Sequence, residues 1–167
     1  MADHEAIKEL AQVLVGELSS ANKAVATAES CTGGWIAKAI TDVSGSSVCF
    51  AYGIVSYSNG AKESLLGVQN RTLSDHGAVS EAAVMEMAEG ALNLSGADIC
   101  VSVSGIAGPD GGSEEKPVGT VWFAWAVRNG SRVDIEAICK HFDGDRDLVR
   151  ELTVVHALQG VRERIES

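Results

Sequence analysis

The chain has 167 residues, 46% of them apolar, and a formal net charge of −10. These values predict a single domain over residues 1–167 with a core large enough to stand without disulfides or metal. Phosphate-backbone affinity comes from clustered Lys and Arg, so an acidic chain with pI near 4.8 argues against nucleic acid as a partner. No apolar run approaches the roughly 18 residues of a membrane span and no charged-then-apolar leader opens the chain, so no membrane partner is expected; four widely separated cysteines with no C-x-x-C pair predict a reducing, cytoplasmic compartment.

In chain order, Ile7, Leu10, Ala11, Leu14, Val15 and Leu18 follow the spacing of a one-faced helix ending near Asn22. Ala24–Ala28 predicts a short strand. Glu29-Ser-Cys-Thr-Gly-Gly34 then suits a strand-to-helix turn, with a helix from about Trp35 to Val43. Val48 to Tyr57 is β-rich. Asn59 is the expected cap of a short helix holding Ala61, Lys62, Leu65 and Leu66, and Ser80 that of a helix with a stripe of Val84, Met87, Ala88, Ala91 and Leu92. Ile99–Val103 and Val121–Arg128 read as buried strands. Asn129-Gly130 before the alternating Val133, Ile135, Ala137 and Cys139 is a hairpin signal. Asp143-Gly-Asp-Arg146 opens a last helix carrying Leu148, Leu152, Val155 and Leu158. Alternating helices and strands predict an α/β fold, a three-layer α/β/α sandwich with a mixed central sheet.

Chemistry concentrates in the glycine-bearing loops. Between Ser104 and Thr120 lie five glycines and both prolines of the chain, flanked by apolar runs, which suits a shaped wall exposing amides to a small ligand. If the strands ending at Ala28 and Val103 run parallel, this loop and the Ser30–Gly34 turn emerge at the same sheet edge, where open α/β sheets gather ligands. Ser30, Thr32 and Gly33 at a helix start suit a phosphate or carboxylate, although an ordinary cap explains them equally well. No histidine lies near Cys31 in the sequence to supply the positive neighbourhood that makes a thiolate, so a nucleophilic cysteine is not expected. Ser47, Tyr57 and Lys62 fit a serine activated by a desolvated lysine, yet from spacing alone a glycine-serine helix end and a solvated lysine explain them better. The four histidines show no ligand spacing and Lys116 precedes proline, so neither a metal, a P-loop nor any other cofactor is expected. Arg146 beside a helix start suits an anion, though such arginines are more often solvated.

Six blocks then carry a resemblance over nearly the full length: Ala28-Glu-Ser-Cys-Thr-Gly-Gly34, Gly53-Ile-Val-Ser-Tyr-Ser-Asn-Gly-Ala-Lys62, Gly77-Ala-Val-Ser80, Ser104-Gly-Ile-Ala-Gly-Pro-Asp-Gly-Gly112, Lys116-Pro-Val-Gly-Thr120 and Gly144-Asp-Arg146. In this order they resemble the CinA carboxyl-terminal domain family, whose stand-alone members are nicotinamide mononucleotide deamidases. The resemblance implies hydrolysis of that carboxamide to nicotinic acid mononucleotide and ammonia, in pyridine nucleotide recycling. It implies a catalytic Ser47–Lys62 dyad with Ser30, Tyr57, Ser104 and Arg146 in supporting roles; together with the loop residues Thr32, Gly33 and Gly105, Ser30, Ser104 and Arg146 are the candidate substrate contacts. It also implies a homodimer. Two alternatives stand beside it: a non-catalytic nucleotide-binding module or inactive paralogue, and an amidase for another carboxamide.

Overall fold

The structure, a computed structural model, describes residues 4–166. Helix α1 (His4–Ser20) leads into strand β1 (Val25–Glu29), helix α2 (Trp35–Thr41), a 3₁₀ turn (Ser46–Val48) and strand β2 (Phe50–Val55). Helices α3 (Asn59–Leu66), α4 (Asn70–His76) and α5 (Glu81–Ser95) follow, then strands β3 (Ile99–Gly105), β4 (Thr120–Asn129) and β5 (Arg132–His141), and helix α6 (Arg146–Glu163). One sheet holds all five strands in the order β2-β1-β3-β4-β5. β1 is parallel to both β2 and β3, while β3–β4 and β4–β5 are antiparallel. The predicted mixed sheet and the hairpin closing at Asn129 opposite Arg132 are therefore present.

The two faces are built from different side chains. Strands present Val101, Val103, Phe123 and Trp125 to one side, where Leu14 of α1, Ile36 of α2 and Leu158 of α6 bury against them. Each large side chain so buried contributes about 2 kcal/mol. The opposite face is paved with small residues, Ala26, Ala28, Cys100, Ala124 and Ala126, against the Val84, Met87 and Ala88 stripe of α5. Small side chains let that helix lie close enough for Ser102 Oγ to donate to the Val84 carbonyl at 2.6 Å. No helix among the described residues is long and apolar enough to cross a membrane.

Several local expectations are corrected. The cap of α3 is Ser58, whose side chain accepts from Ala61 N, and not Asn59. β2 starts only at Phe50, because Ser46–Val48 closes a 3₁₀ turn first. α6 buries Val149, Val154, Ala157, Leu158 and Val161 instead of the expected Leu148, Leu152 and Val155. The helix is rotated to set Gly160 on the Trp125 indole, where a Cβ would come within 2.2 Å of the ring. Cys139 on β5 is exposed, whereas Cys31, Cys49 and Cys100 are buried; all four are free thiols.

The sheet order positions the site. From β1 the chain crosses through α2 to β2 on one side, then through α3–α5 to β3 on the other, with α2 and α5 on opposite faces. The carboxyl end of β1 is thus a topological switch point, where the diverging connections leave a crevice.

Candidate active site at the carboxyl ends of β1 and β3

Ser30 is the first residue past β1. Its amide donates to the Val103 carbonyl of β3 at 3.1 Å, and its carbonyl accepts from Gly33 N at 3.0 Å, closing a tight turn. Gly34, the residue before α2, sits at φ 101°, a left-handed conformation that glycine adopts without the cost a side chain imposes. Lys62 enters from the first turn of α3. There its amide bonds the Ser58 carbonyl at 3.1 Å and its side chain runs inward, leaving the residue 1% exposed.

The Lys62 amine is hydrogen-bonded to three oxygens: Ser30 Oγ at 2.9 Å, the Ser56 carbonyl at 2.8 Å and the Tyr57 carbonyl at 3.1 Å. None of these partners is a carboxylate. Burial disfavours the ammonium and holds the amine below its usual 10.5. In its neutral form the amine would carry two hydrogens, matched by the two carbonyls, and one lone pair free to face the Ser30 hydroxyl.

These groups line a cleft of about 290 Å³ whose walls include Ser30, Cys31, Tyr57, Lys62, Ser104 and Arg146. Gly105–Gly108 and Gly111 form the far wall. Gly105 permits a close approach between strands, since a Cβ there would lie 2.7 Å from Val121 Cγ2 and 2.9 Å from the Thr120 carbonyl. Arg146 at the start of α6 donates to the Gly108 carbonyl at 2.9 Å and to the Tyr57 hydroxyl at 3.3 Å, joining both walls. A larger groove of about 670 Å³ between α1 and α2 contains none of the predicted site residues.

Of the predicted residues, Ser30, Tyr57, Lys62, Ser104, Gly105 and Arg146 converge on the cleft. Ser47 does not. It lies exposed in the 3₁₀ turn after α2, outside the cleft, and Lys62 meets Ser30 in its place. The physical reason is that α2 separates the two serines, with the Ser30 turn at its amino end facing β3 and the Ser47 turn at its carboxyl end facing solvent. The Tyr57 phenol points to Arg146, and only its backbone carbonyl touches Lys62. Thr32 and Gly33 shape the turn behind Ser30: Thr32 Oγ1 donates to Glu29, and Arg150 reaches the Cys31 and Thr32 carbonyls at 3.0 and 3.1 Å. Burial and the nearby Glu29 charge push the Cys31 thiol up to about 12, so it stays protonated at neutral pH.

Sequence reasoning missed Asn59, Ala78, Val79 and Asp110 on the cleft wall. Only Asp110, inside the glycine loop, lay in a segment already marked as a ligand wall.

The family model described as CinA C-terminal domain matches residues 7–165. Nicotinamide-nucleotide amidohydrolase PncC of Escherichia coli (strain K12) is 54% identical over 159 residues, 95% of this chain and 94% of that protein. The protein of the same name from Pseudomonas putida is 53% identical over 155 residues, 93% of this chain and 94% of its own. Among solved structures, the competence/damage inducible protein CihA of Agrobacterium tumefaciens has a TM-score of 0.90 at 43% identity, covering 97% of this chain and 96% of that one. With its switch-point cleft and a family match over residues 7–165, this chain belongs to the CinA C-terminal domain family.

Proposed function

We propose that the chain is a nicotinamide-nucleotide amidohydrolase, converting nicotinamide mononucleotide and water to nicotinic acid mononucleotide and ammonia, with Ser30 as nucleophile and Lys62 as general base. The observation that carries this reading is the 2.9 Å contact between the buried Lys62 amine and Ser30 Oγ, with no carboxylate among the amine's partners. The names of relatives matched over almost their whole length support the substrate. Ser47, first expected as the nucleophile, has no part in the scheme.

Neutral Lys62 takes the Ser30 proton as Oγ bonds to the carboxamide carbon, an electrophile sharpened by the cationic pyridinium ring. The tetrahedral oxyanion is received by backbone amides of the Cys31 turn and the 104–108 loop, each such donor being worth about 3 kcal/mol. As it collapses, the C–N bond breaks and the Lys62 ammonium returns its proton to the departing nitrogen, releasing ammonia. Water then attacks the nicotinoyl ester, again losing a proton to Lys62, and Ser30 regains its hydrogen as the acid leaves. Arg146 takes the phosphate end as a fixed bidentate cation, and its bond to the Tyr57 hydroxyl makes that residue a support for substrate binding instead of a proton relay.

The whole chain works as one such domain in the cytoplasm, recycling pyridine nucleotides, and pairs as a homodimer. What favours pairing is the β2 edge: residues 43–61 contain no charged residue, and Tyr52 and Val55 are 48% and 45% exposed. An uncharged edge strand is a template for a second strand, and light scattering of the purified protein is expected to give twice the chain mass.

Ammonia release from nicotinamide mononucleotide, compared with free nicotinamide and the dinucleotide, tests the activity. A protein that binds the mononucleotide and never releases ammonia is a binding module, and the reading falls.

A further inference from the structure

Glu29 is fully buried, acidic and unused by the reaction, yet its carboxylate is saturated with donors. One oxygen accepts from Thr32 Oγ1 at 2.5 Å and from Ile36 N at 2.9 Å, and the other from Ala37 N at 3.0 Å. Helix α2 has glycine at its cap position and no side-chain cap hydrogen bond there, so its first free amides are satisfied by this residue from the end of β1. Every contact to the carboxyl group is a donor, which the ionised form matches without leaving a hydroxyl hydrogen in need of a partner. Burial works against that charge, raising the Glu29 pKa, while the same hydrogen bonds pull it down.

The bonds close a clamp around Ser30. The Glu29 side chain reaches over Ser30 and Cys31 to Thr32 and α2, while its own carbonyl accepts from Ser56 N at 2.8 Å. Ser56 in turn offers its carbonyl to the Lys62 amine. One residue thereby ties the turn bearing the hydroxyl to the segment bearing the amine.

We infer that Glu29 is the positioning residue of this site: its carboxylate fixes the Ser30–Gly34 turn against the α2 amino end, so that Ser30 Oγ stays within hydrogen-bond reach of Lys62. The inference rests on the Ser30–Lys62 reading and adds to it the group that sets its geometry. Misplacement of a reacting group by about 1 Å costs on the order of 10²-fold in rate. In Glu29→Gln the side chain keeps its shape but turns an amide NH₂ toward backbone and hydroxyl donors, so the turn must shift.

The test compares the wild type with Glu29→Gln, Thr32→Val and Thr32→Ser by three readouts: thermal melting, kcat and KM for nicotinamide mononucleotide, and the rate at which a fluorophosphonate labels Ser30. Glu29→Gln is expected to lose about 10²-fold in kcat with KM within about threefold, and labelling is expected to fall in parallel. Thr32→Val, which lacks the hydroxyl, is expected to lose about tenfold in both kcat and labelling, and Thr32→Ser to restore them. A folded Glu29→Gln protein whose kcat and labelling stay within about twofold of wild type overturns the inference, as does a kcat loss with unchanged labelling. If Glu29→Gln does not fold, the Thr32 pair decides, equal rates for valine and serine being the overturning result. A wild type that neither labels at Ser30 nor releases ammonia defeats the dyad itself; a wild type that does both, with variants that match it, defeats only the positioning role.

Discussion

Two serine-bearing glycine turns bracket helix α2, and in sequence they look alike. Glu29-Ser-Cys-Thr-Gly-Gly34 precedes it and Ser44-Gly-Ser-Ser-Val48 follows it. The first is pinned on every side: Ser30 is buried, its amide is on β3, Lys62 is on its hydroxyl and Glu29 and Arg150 hold the residues after it. The second faces solvent, with Ser47 exposed and Val48 73% exposed. A serine becomes reactive through a base that is itself desolvated, and that requires burial shared by both partners. Residue type and spacing supply the hydroxyls; sheet order decides which one meets the amine.

Exchange experiments on the two turns bear directly on this contrast. Ser30→Ala is expected to cut ammonia release by about 10⁴-fold or more, because the proposed mechanism without its nucleophile retains only binding and oxyanion stabilisation. Retention of rate in that variant would erase the distinction between the turns. Lys62→Met is expected to cost about 10³-fold in kcat, within the range for a general base, with nucleotide binding retained in calorimetry. Arg146→Ala is expected to raise KM about tenfold, equivalent to about 1.4 kcal/mol, with a smaller change in kcat, since its partners are the cleft walls and not the dyad. Ser47→Ala is expected to leave both constants within about twofold of wild type.

A pH series sharpens the same comparison from the side of the base. Burial lowers the Lys62 pKa below 10.5, so kcat/KM is expected to rise with pH as the amine loses its proton. The rise should be centred below the ordinary lysine value. Stability follows the same sign. Between the folded value and 10.5 the unfolded chain holds a proton that the folded protein has released, so stability increases with pH across that window. The gain is lost as pH falls through the folded value. Glu29, raised above 4.5 by burial, acts oppositely: its contribution is fully present below 4.5 and is lost as pH rises through its folded value.

Much of the scaffold was legible because it rests on local periodicity. In the α1 stripe Ile7, Ala11, Leu14, Val15 and Leu18 are buried as the spacing requires, and Leu10 is half-buried. Ser80 caps α5, and the Asn129-Gly130 hairpin closes in register. Helix α4 was not legible: Asn70-Arg-Thr-Leu-Ser-Asp-His76 has one apolar residue and no stripe. It is held from outside by Glu86 of α5, which accepts from Gln69 N at 2.8 Å and Thr72 Oγ1 at 2.6 Å. The α6 stripe was misjudged because its orientation is set by the fit of Gly160 to Trp125, a contact between residues far apart in the chain.

By itself the sequence determined the element types, the mixed α/β layering and the two glycine-bearing loops, since helix and strand periods and φ-permissive residues act over a few positions. Its six blocks also marked Ser30, Lys62 and Arg146 as members of one site. Only the tertiary structure decided that Ser30 and not Ser47 faces the amine, that the Tyr57 phenol belongs to Arg146, and that Glu29 clamps the turn. These choices depend on parallel β1 and β3 ending side by side and on α3 driving Lys62 inward. Contacts of that kind are made across the fold, where distance along the chain carries no information about distance in space.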